Sequence, residues 1–177
     1  MPIAQGVAID GGAHIGVWTE ALAKKFKKVL AYEPEPRNAK LLRENVGHLE
    51  NVRVHQKALG WIPEQNVKVM WRLPEKTDTA RIGSRGEIAQ TTSLDAEGLK
   101  DVTFIKLDLE GFEYYALRGA ETVLRTWKPM VLIEEKHVLS EHYGIPTGEA
   151  RRWLESIGMR VVETFHIDVL LGWGEQA

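Results

Sequence analysis

Short apolar runs and helical spacings alternate along most of the chain. Val7-Ala8-Ile9 leads into Asp10 and a glycine-rich turn, Gly11-Gly12-Ala13-His14-Ile15-Gly16. From Val17 to Phe26 apolar residues recur at Val17, Ala21, Leu22 and Phe26, which predicts a helix. Lys24, Lys25, Lys27 and Lys28 read as its solvated, basic C-terminal end, where cations suit the helix dipole. Val29-Leu30-Ala31-Tyr32 is a short buried strand. The prolines of Glu33-Pro34-Glu35-Pro36 end it and favour a new helix start. Asn38 to Val46 is that helix, and Val52-Arg53-Val54-His55 is a third strand. Residues 7 to 56 therefore spell β-α-β-α-β, a parallel sheet with right-handed crossovers.

The middle breaks this rhythm. Val67, Val69, Trp71 and Leu73 alternate with polar or flexible residues, as in an edge or antiparallel strand. Pro74 to Gly86 reads as a polar, mobile loop, and Ile88 to Ser93 as the return strand of a hairpin. Leu94 to Leu99 reads as a short helical turn. The parallel pattern then resumes. Val102 to Asp108 is a strand and Leu109-Glu110-Gly111 a turn. Phe112 to Trp127 is one helix stopped by Pro129, and Met130 to Glu134 another buried strand. Thr147 to Ile157 is a helix with Thr147 as its N-cap and Gly158 as its stop. Arg160 to His166 and Val169 to Trp173 form an antiparallel closing pair. The fold class expected is α/β: a doubly wound, seven-stranded, mostly parallel sheet with an antiparallel C-terminal strand.

Composition narrows the function classes. A chain of 177 residues is expected to form a single domain over 1–177, with a middle insertion at about 61–95. It has no cysteine, which excludes disulfides, thiolate metal sites and a cysteine nucleophile. A net charge of -2 argues against nucleic acid as the partner, since phosphate neutralisation asks for a basic chain. No apolar run approaches the ~18 residues of a membrane span. The N-terminus shows no secretory pattern, so no membrane partner and a cytoplasmic location are expected.

In an open α/β sheet, ligands lie beyond the carboxyl ends of the strands, at the switch point. That gathers the turns after Asp10, Glu33, His55 and Asp108 around one crevice. A dinucleotide site would offer G-x-G-x-x-G, but Ala13 occupies the middle place. Asp10 would also repel a pyrophosphate. A carboxylate there suits a cationic ligand instead, and S-adenosylmethionine carries an ammonium and a sulfonium but no phosphate. Gly12 and Gly16 let the backbone come close to that ligand. Glu33 lies at the interval expected of a ribose-binding acid on a second strand.

At these residues the chain resembles a family. Asp10 to Gly16, Tyr32-Glu33-Pro34, Ser93-Leu94-Asp95, Ile105 to Glu113, Leu117-Arg118-Gly119-Ala120 and Ile133-Glu134 together are similar to FkbM-type methyltransferases. The resemblance covers about residues 7 to 137. It implies a Rossmann-like class I fold and S-adenosylmethionine as cofactor. It also implies O-methylation of a hydroxyl on a sugar or other small-molecule acceptor. The cofactor residues so implied are Asp10, Gly12, His14, Gly16, Glu33, Pro34, Ala58 and Asp108. His14 stands where the family usually has Asn, and Gly11 where it has an aliphatic residue; the turn's other glycines remain. The chain begins almost at its first strand, so no N-terminal substrate-gripping segment is expected.

A second cluster carries the chemistry. Lys106, Asp108 and Glu110 share one face while the segment stays extended. A buried lysine needs a partner, and Glu134 on the neighbouring strand is the candidate. Methyl transfer to an alcohol requires alignment, exclusion of water and a place for the proton. The candidate bases are Asp108, then Glu110, with His137 a third. Asp108, Glu110 and Glu134 read alternatively as a site for a hard divalent ion, although no ligand-spaced loop supports it, and no metal is expected. Arg81, Arg85, His142 and Tyr143 stand where a polar acceptor would be met, with Trp61 and Trp71 as stacking surfaces. The acceptor and the oligomeric state remain open at this point.

Overall fold

The computed structural model describes residues 4–71, 80–136 and 139–174. Its first strand, β1 (Ala4–Gly11), is followed by α1 (Val17–Ala23), β2 (Phe26–Tyr32), α2 (Pro36–Val46) and β3 (Val52–His55). The second half supplies β8 (Val102–Leu107), α3 (Glu113–Arg118), α4 (Glu121–Trp127), β9 (Met130–Glu134), α5 (Glu149–Ser156), β10 (Met159–Phe165) and β11 (Asp168–Trp173). These strands form one seven-stranded sheet in the order β10-β11-β9-β8-β1-β2-β3. Pairings from β3 to β9 are parallel, and β11 runs antiparallel to both β9 and β10. Strand β1 lies between β2 and β8, which makes the ends of β1 and β8 the switch point.

Alternation along the strands divides the interior into two cores. Ala8, Val29 and Ala31 face one side, where Leu22 of α1 and Leu42 and Val46 of α2 cover them. Ile9, Leu30 and Tyr32 face the other side and pack with Leu117, Leu124 and Leu154 from α3, α4 and α5. A continuous apolar run in a parallel strand is thus read on both faces.

Several boundaries depart from the sequence expectation. Helix α1 stops at Ala23, and Phe26 opens β2, with its ring stacked on Phe104 at 5.6 Å. Lys27 and Lys28 are therefore exposed strand residues rather than a helix end. The single helix expected over 112–127 is two helices. A Cβ at Gly119 would overlap the carbonyl oxygen of Gly60, so the chain turns there against a backbone. Asp95 restarts the helix by accepting from Thr122 N (3.0 Å) and Val123 N (2.9 Å), while Asp95 N donates to Gly119 O (2.9 Å). Helix α5 starts after Gly148 in a left-handed conformation, and Thr147 instead donates its hydroxyl to Glu141 (3.1 Å).

The middle segment builds a sheet of its own. β4 (Ala58–Leu59), β5 (Asn66–Trp71), β6 (Ala80–Gly83) and β7 (Glu87–Thr92) lie in the order β4-β7-β5-β6. The return strand β7 pairs antiparallel with β5 as expected. The polar stretch expected to be a loop contains β6, which pairs antiparallel with β5 and sets Met70 opposite Arg81 and Val69 opposite Ile82. An arginine and a glycine conceal an edge strand, because only one of its faces needs apolar residues.

Candidate functional site

A cleft opens over the ends of β1, β2 and β8. Its walls include Gly12, Ala13 and His14 after β1, Glu33 and Pro34 after β2, and Asp108 to Glu110 after β8. Ala58 of β4 and Ala80 to Ile82 of β6 close it from the second sheet, and Val17 and Trp18 stand at its mouth. Trp18 is 44% exposed there and Val17 is 73% exposed.

The first turn is shaped by backbone contacts. Gly12 N and Ala13 N both donate to Tyr32 O, at 3.0 and 3.1 Å. Gly12 has φ 72°, and a Cβ at that position would overlap the carbonyl oxygen of Asp108. Only glycine lets the β1 and β8 turns pass so closely. Gly16 caps α1 beneath Leu42 and Val46 and does not line the cleft. Glu33 is buried, and its two oxygens accept from His14 N and Glu35 N, each at 2.9 Å. Burial raises its pKa to about 7 against those two bonds.

Asp10 does not face the cleft. It is wholly buried, accepts from the Thr19 hydroxyl (2.6 Å) and lies 3.3 Å from Lys106 Nζ. Lys106 also donates to the carbonyls of Gly11 (3.4 Å) and Gly12 (3.1 Å). Its partner is thus Asp10 and not Glu134. The register is the cause: Asp10 lies opposite Lys106, while Lys106 lies opposite Leu132 on β9. Glu134 falls two residues further on, level with Asp108.

There it joins Asp108 and Glu110, the trio grouped from the sequence as an alternative ion site, and the member that sequence reasoning missed is Lys136. Lys136 Nζ lies 3.4 Å from Asp108 and 2.7 Å from Glu134, and it also contacts Glu110. Carboxylate oxygens of these three acids lie within 4.8 Å of one another, a spacing a divalent ion would accept. The Lys136 ammonium supplies positive charge to the same oxygens. Burial raises Glu134 to about 8, reinforced by a hydrogen bond and repulsion from Asp108. For Asp108 burial works upwards, but the bond from Glu134 and the charges of Lys106 and Lys136 hold its carboxyl below the usual range. The pair therefore titrates together, with Glu134 pushed towards holding a proton and Asp108 towards ionisation. Asp108 is also the most accessible of the three side chains, at 34%.

Glu113 supports this turn from below. Its Oε1 accepts from Leu109 N (2.7 Å) and Gly111 N (3.3 Å). The motif spacing singled out Glu113 but gave it no task. His137, a candidate base, lies outside the described residues, as do residues 74–79 of the expected polar loop.

The profile of the Methyltransferase FkbM domain family matches residues 10–161. The chain belongs to that family. The FkbM methyltransferase from Methylobacillus flagellatus superposes with a TM-score of 0.63 at 21% identity. That match covers 97% of this chain and 44% of the Methylobacillus protein, so this FkbM domain spans less than half of it. An rRNA methylase from Streptococcus thermophilus (TM-score 0.58, 12% identity) matches over 97% of this chain and 89% of its own. A methyltransferase-like protein from Streptococcus mutans, solved in complex with SAH, matches with TM-score 0.58 at 10% identity, over 96% and 88%. At such identities these structures share the fold with this FkbM domain. No protein of curated function matches it. Among the described residues no helix is long and apolar enough to cross a membrane.

Proposed function

We propose that this FkbM domain is an S-adenosylmethionine-dependent methyltransferase acting on a hydroxyl of a sugar or other small acceptor. The observation that carries the proposal is the meeting, in one cleft, of Glu33 and an accessible Asp108 carboxyl. Each Glu33 oxygen accepts one backbone N–H and keeps a second lone-pair direction, which fits a pair of ribose hydroxyls. The bare Gly12 backbone, with His14, Pro34 and Ala58 beside it, fits a closely held nucleoside and its amino-acid tail. Asp10 contributes indirectly by fixing Lys106 against the Gly11 and Gly12 carbonyls, and Gly16 by starting α1.

When bound, S-adenosylmethionine supplies a methyl group activated by a positive sulfur. The chain's own residues then have two duties. Asp108 accepts the acceptor's hydroxyl proton as the oxygen attacks, with Glu110 the next carboxylate in line. Lys136 holds both acids in place and prevents the three carboxylates from repelling one another.

Calorimetry with S-adenosylmethionine and its demethylated product, SAH, tests the reading. Glu33→Ala is expected to weaken SAH binding at least ten-fold. Asp108→Asn is expected to lower turnover by roughly 10²-fold or more while leaving SAH affinity within a few-fold. No binding by the wild type at millimolar ligand would refute the cofactor. Equal loss of affinity in both variants would make Asp108 a cofactor residue and not a base.

A further inference from the structure

Arg81 stands on the one wall of the cleft that the proposed reaction leaves without a task. It lies on β6, opposite Met70, and lines the cleft together with Asp108, Glu110 and Phe112. Its Nε is buried without a hydrogen-bond acceptor, and among the described residues its guanidinium has no ion-pair partner. The nearby carboxylates do not serve it, because Asp108 and Glu110 are held by Lys136. Arg118 also has an unpaired buried Nε, but its guanidinium has other partners: it lies 4.5 Å over the Trp61 ring and donates to the Tyr114 hydroxyl.

The position of β6 is fixed. Tyr143 OH donates to Ile82 O at 2.9 Å, and the Tyr143 ring meets Phe112 edge-on at 5.0 Å. Phe112 directly follows the Glu110-Gly111 turn. Arg81 is thereby tied to the Asp108 end of the cleft. Arg81 is half-buried, with its Nε cut off from water and unpaired, which is costly, and its planar fork matches a carboxylate or phosphate with two parallel bonds.

Building on the methyltransferase reading above, we propose that Arg81 recognises an anionic group on the methyl acceptor. The substrate class is then a hydroxyl compound bearing a carboxylate or phosphate, such as a uronic acid or a sugar phosphate. The same oxyanion chemistry has a second source, the carboxylate of the cofactor's amino-acid end, and the experiment separates the two.

Wild type, Arg81→Gln and Arg81→Lys are titrated by calorimetry with D-glucuronate, D-glucose 6-phosphate and D-glucose, with and without SAH. The wild type is expected to bind the two anionic probes at least ten-fold more tightly than glucose. Arg81→Gln is expected to abolish that preference, and Arg81→Lys to keep part of it, since it retains charge but loses the fork. SAH affinity is expected to stay within about two-fold in all three proteins. A wild type without the preference, or a preference unchanged in Arg81→Gln, overturns the proposal. A ten-fold loss of SAH affinity in Arg81→Gln, with no anion preference in the wild type, overturns it in favour of the cofactor carboxylate. An Arg81-dependent preference in a protein that binds no SAH supports the anion site and refutes the cofactor reading instead. Thermal melts of both variants establish that each is folded.

Discussion

Replacing Glu113 by glutamine should stabilise the protein at pH 8, although Glu113 is buried beneath the active turn. Burial raises its carboxyl to about 7 from the ordinary 4.5, against bonds from three backbone N–H groups: its own and those of Leu109 and Gly111. The folded protein therefore keeps this proton up to about pH 7, while the unfolded chain releases it near 4.5. Stability from the proton is complete below 4.5 and is lost as pH rises through 7. At about 1.4 kcal/mol per pH unit, the loss is roughly 0.8 kcal/mol by pH 5 and roughly 3 kcal/mol by pH 8. Glutamine does not titrate. Its carbonyl can take the place of Oε1, which accepts both the Leu109 and Gly111 bonds. Its amide nitrogen then confronts the residue's own N–H, as the O–H of the protonated acid does, so that cost cancels between the two at low pH. Urea unfolding of wild type and Glu113→Gln at pH 5 and pH 8 measures the result. The mutational free energy should shift by about 2.5 kcal/mol in favour of glutamine between these values. Glu33 and Glu134 titrate in the same direction in both proteins and drop out of the comparison. An identical mutational effect at the two pH values would refute the reasoning and mean that Glu113 is ionised throughout.

Two further substitutions probe the same architecture. Gly12→Ala should destabilise the protein by about 2 kcal/mol or more and weaken SAH binding at least ten-fold, because the new Cβ overlaps the Asp108 carbonyl at a positive φ. Gly98→Ala, also at positive φ but with open space around it, is the control and should leave SAH binding unchanged in the same calorimetry. Lys136→Met should cost about 3 kcal/mol at pH 7.5, since three neighbouring carboxylates lose their cation. That cost should shrink at pH 5 as the acids take up protons, and a pH-independent loss in urea unfolding would show that Lys136 is only packing.

Most of the parallel sheet could be read from the sequence because its signals are local. The apolar runs at Val7 and Val102, the prolines after Glu33 and the glycine turn each act within a few residues. What escaped depended on register or on distant backbone. The partner of Lys106 follows from the register of β8 with both neighbours, which sets Asp10 opposite it and Glu134 two residues beyond Leu132. The break at Gly119 is imposed by the Gly60 carbonyl, 59 residues away in sequence. β6 is an edge strand with a half-polar pattern, so its alternation carries little information. Glu33 and Asp108 were legible as cleft residues, because position at a strand tip is itself a local signal. Lys136 was invisible as a participant, because a lysine just after a strand carries no signal until Glu134 and Asp108 are level.

Asp10, Glu33, Asp108, Glu110 and Glu134 place five carboxylates at or just beyond the strand tips, which in the sequence alone is a field suited to a cationic ligand. The structure divides them by what neutralises each. Asp10 is spent on Lys106 and Thr19, and Glu113 on the amides of a turn. Glu110 and Glu134 are spent on Lys136. Glu33, Asp108 and Glu110 line the cleft with lone-pair directions still unused, and Asp108 is more accessible than Glu110. The cleft is therefore much less negative than five adjacent carboxylates suggest. A cleft so nearly balanced can place an unpaired arginine, Arg81, near its acids without the two collapsing into an ion pair. Each acid already bound to a cation or an amide leaves the guanidinium free for the ligand.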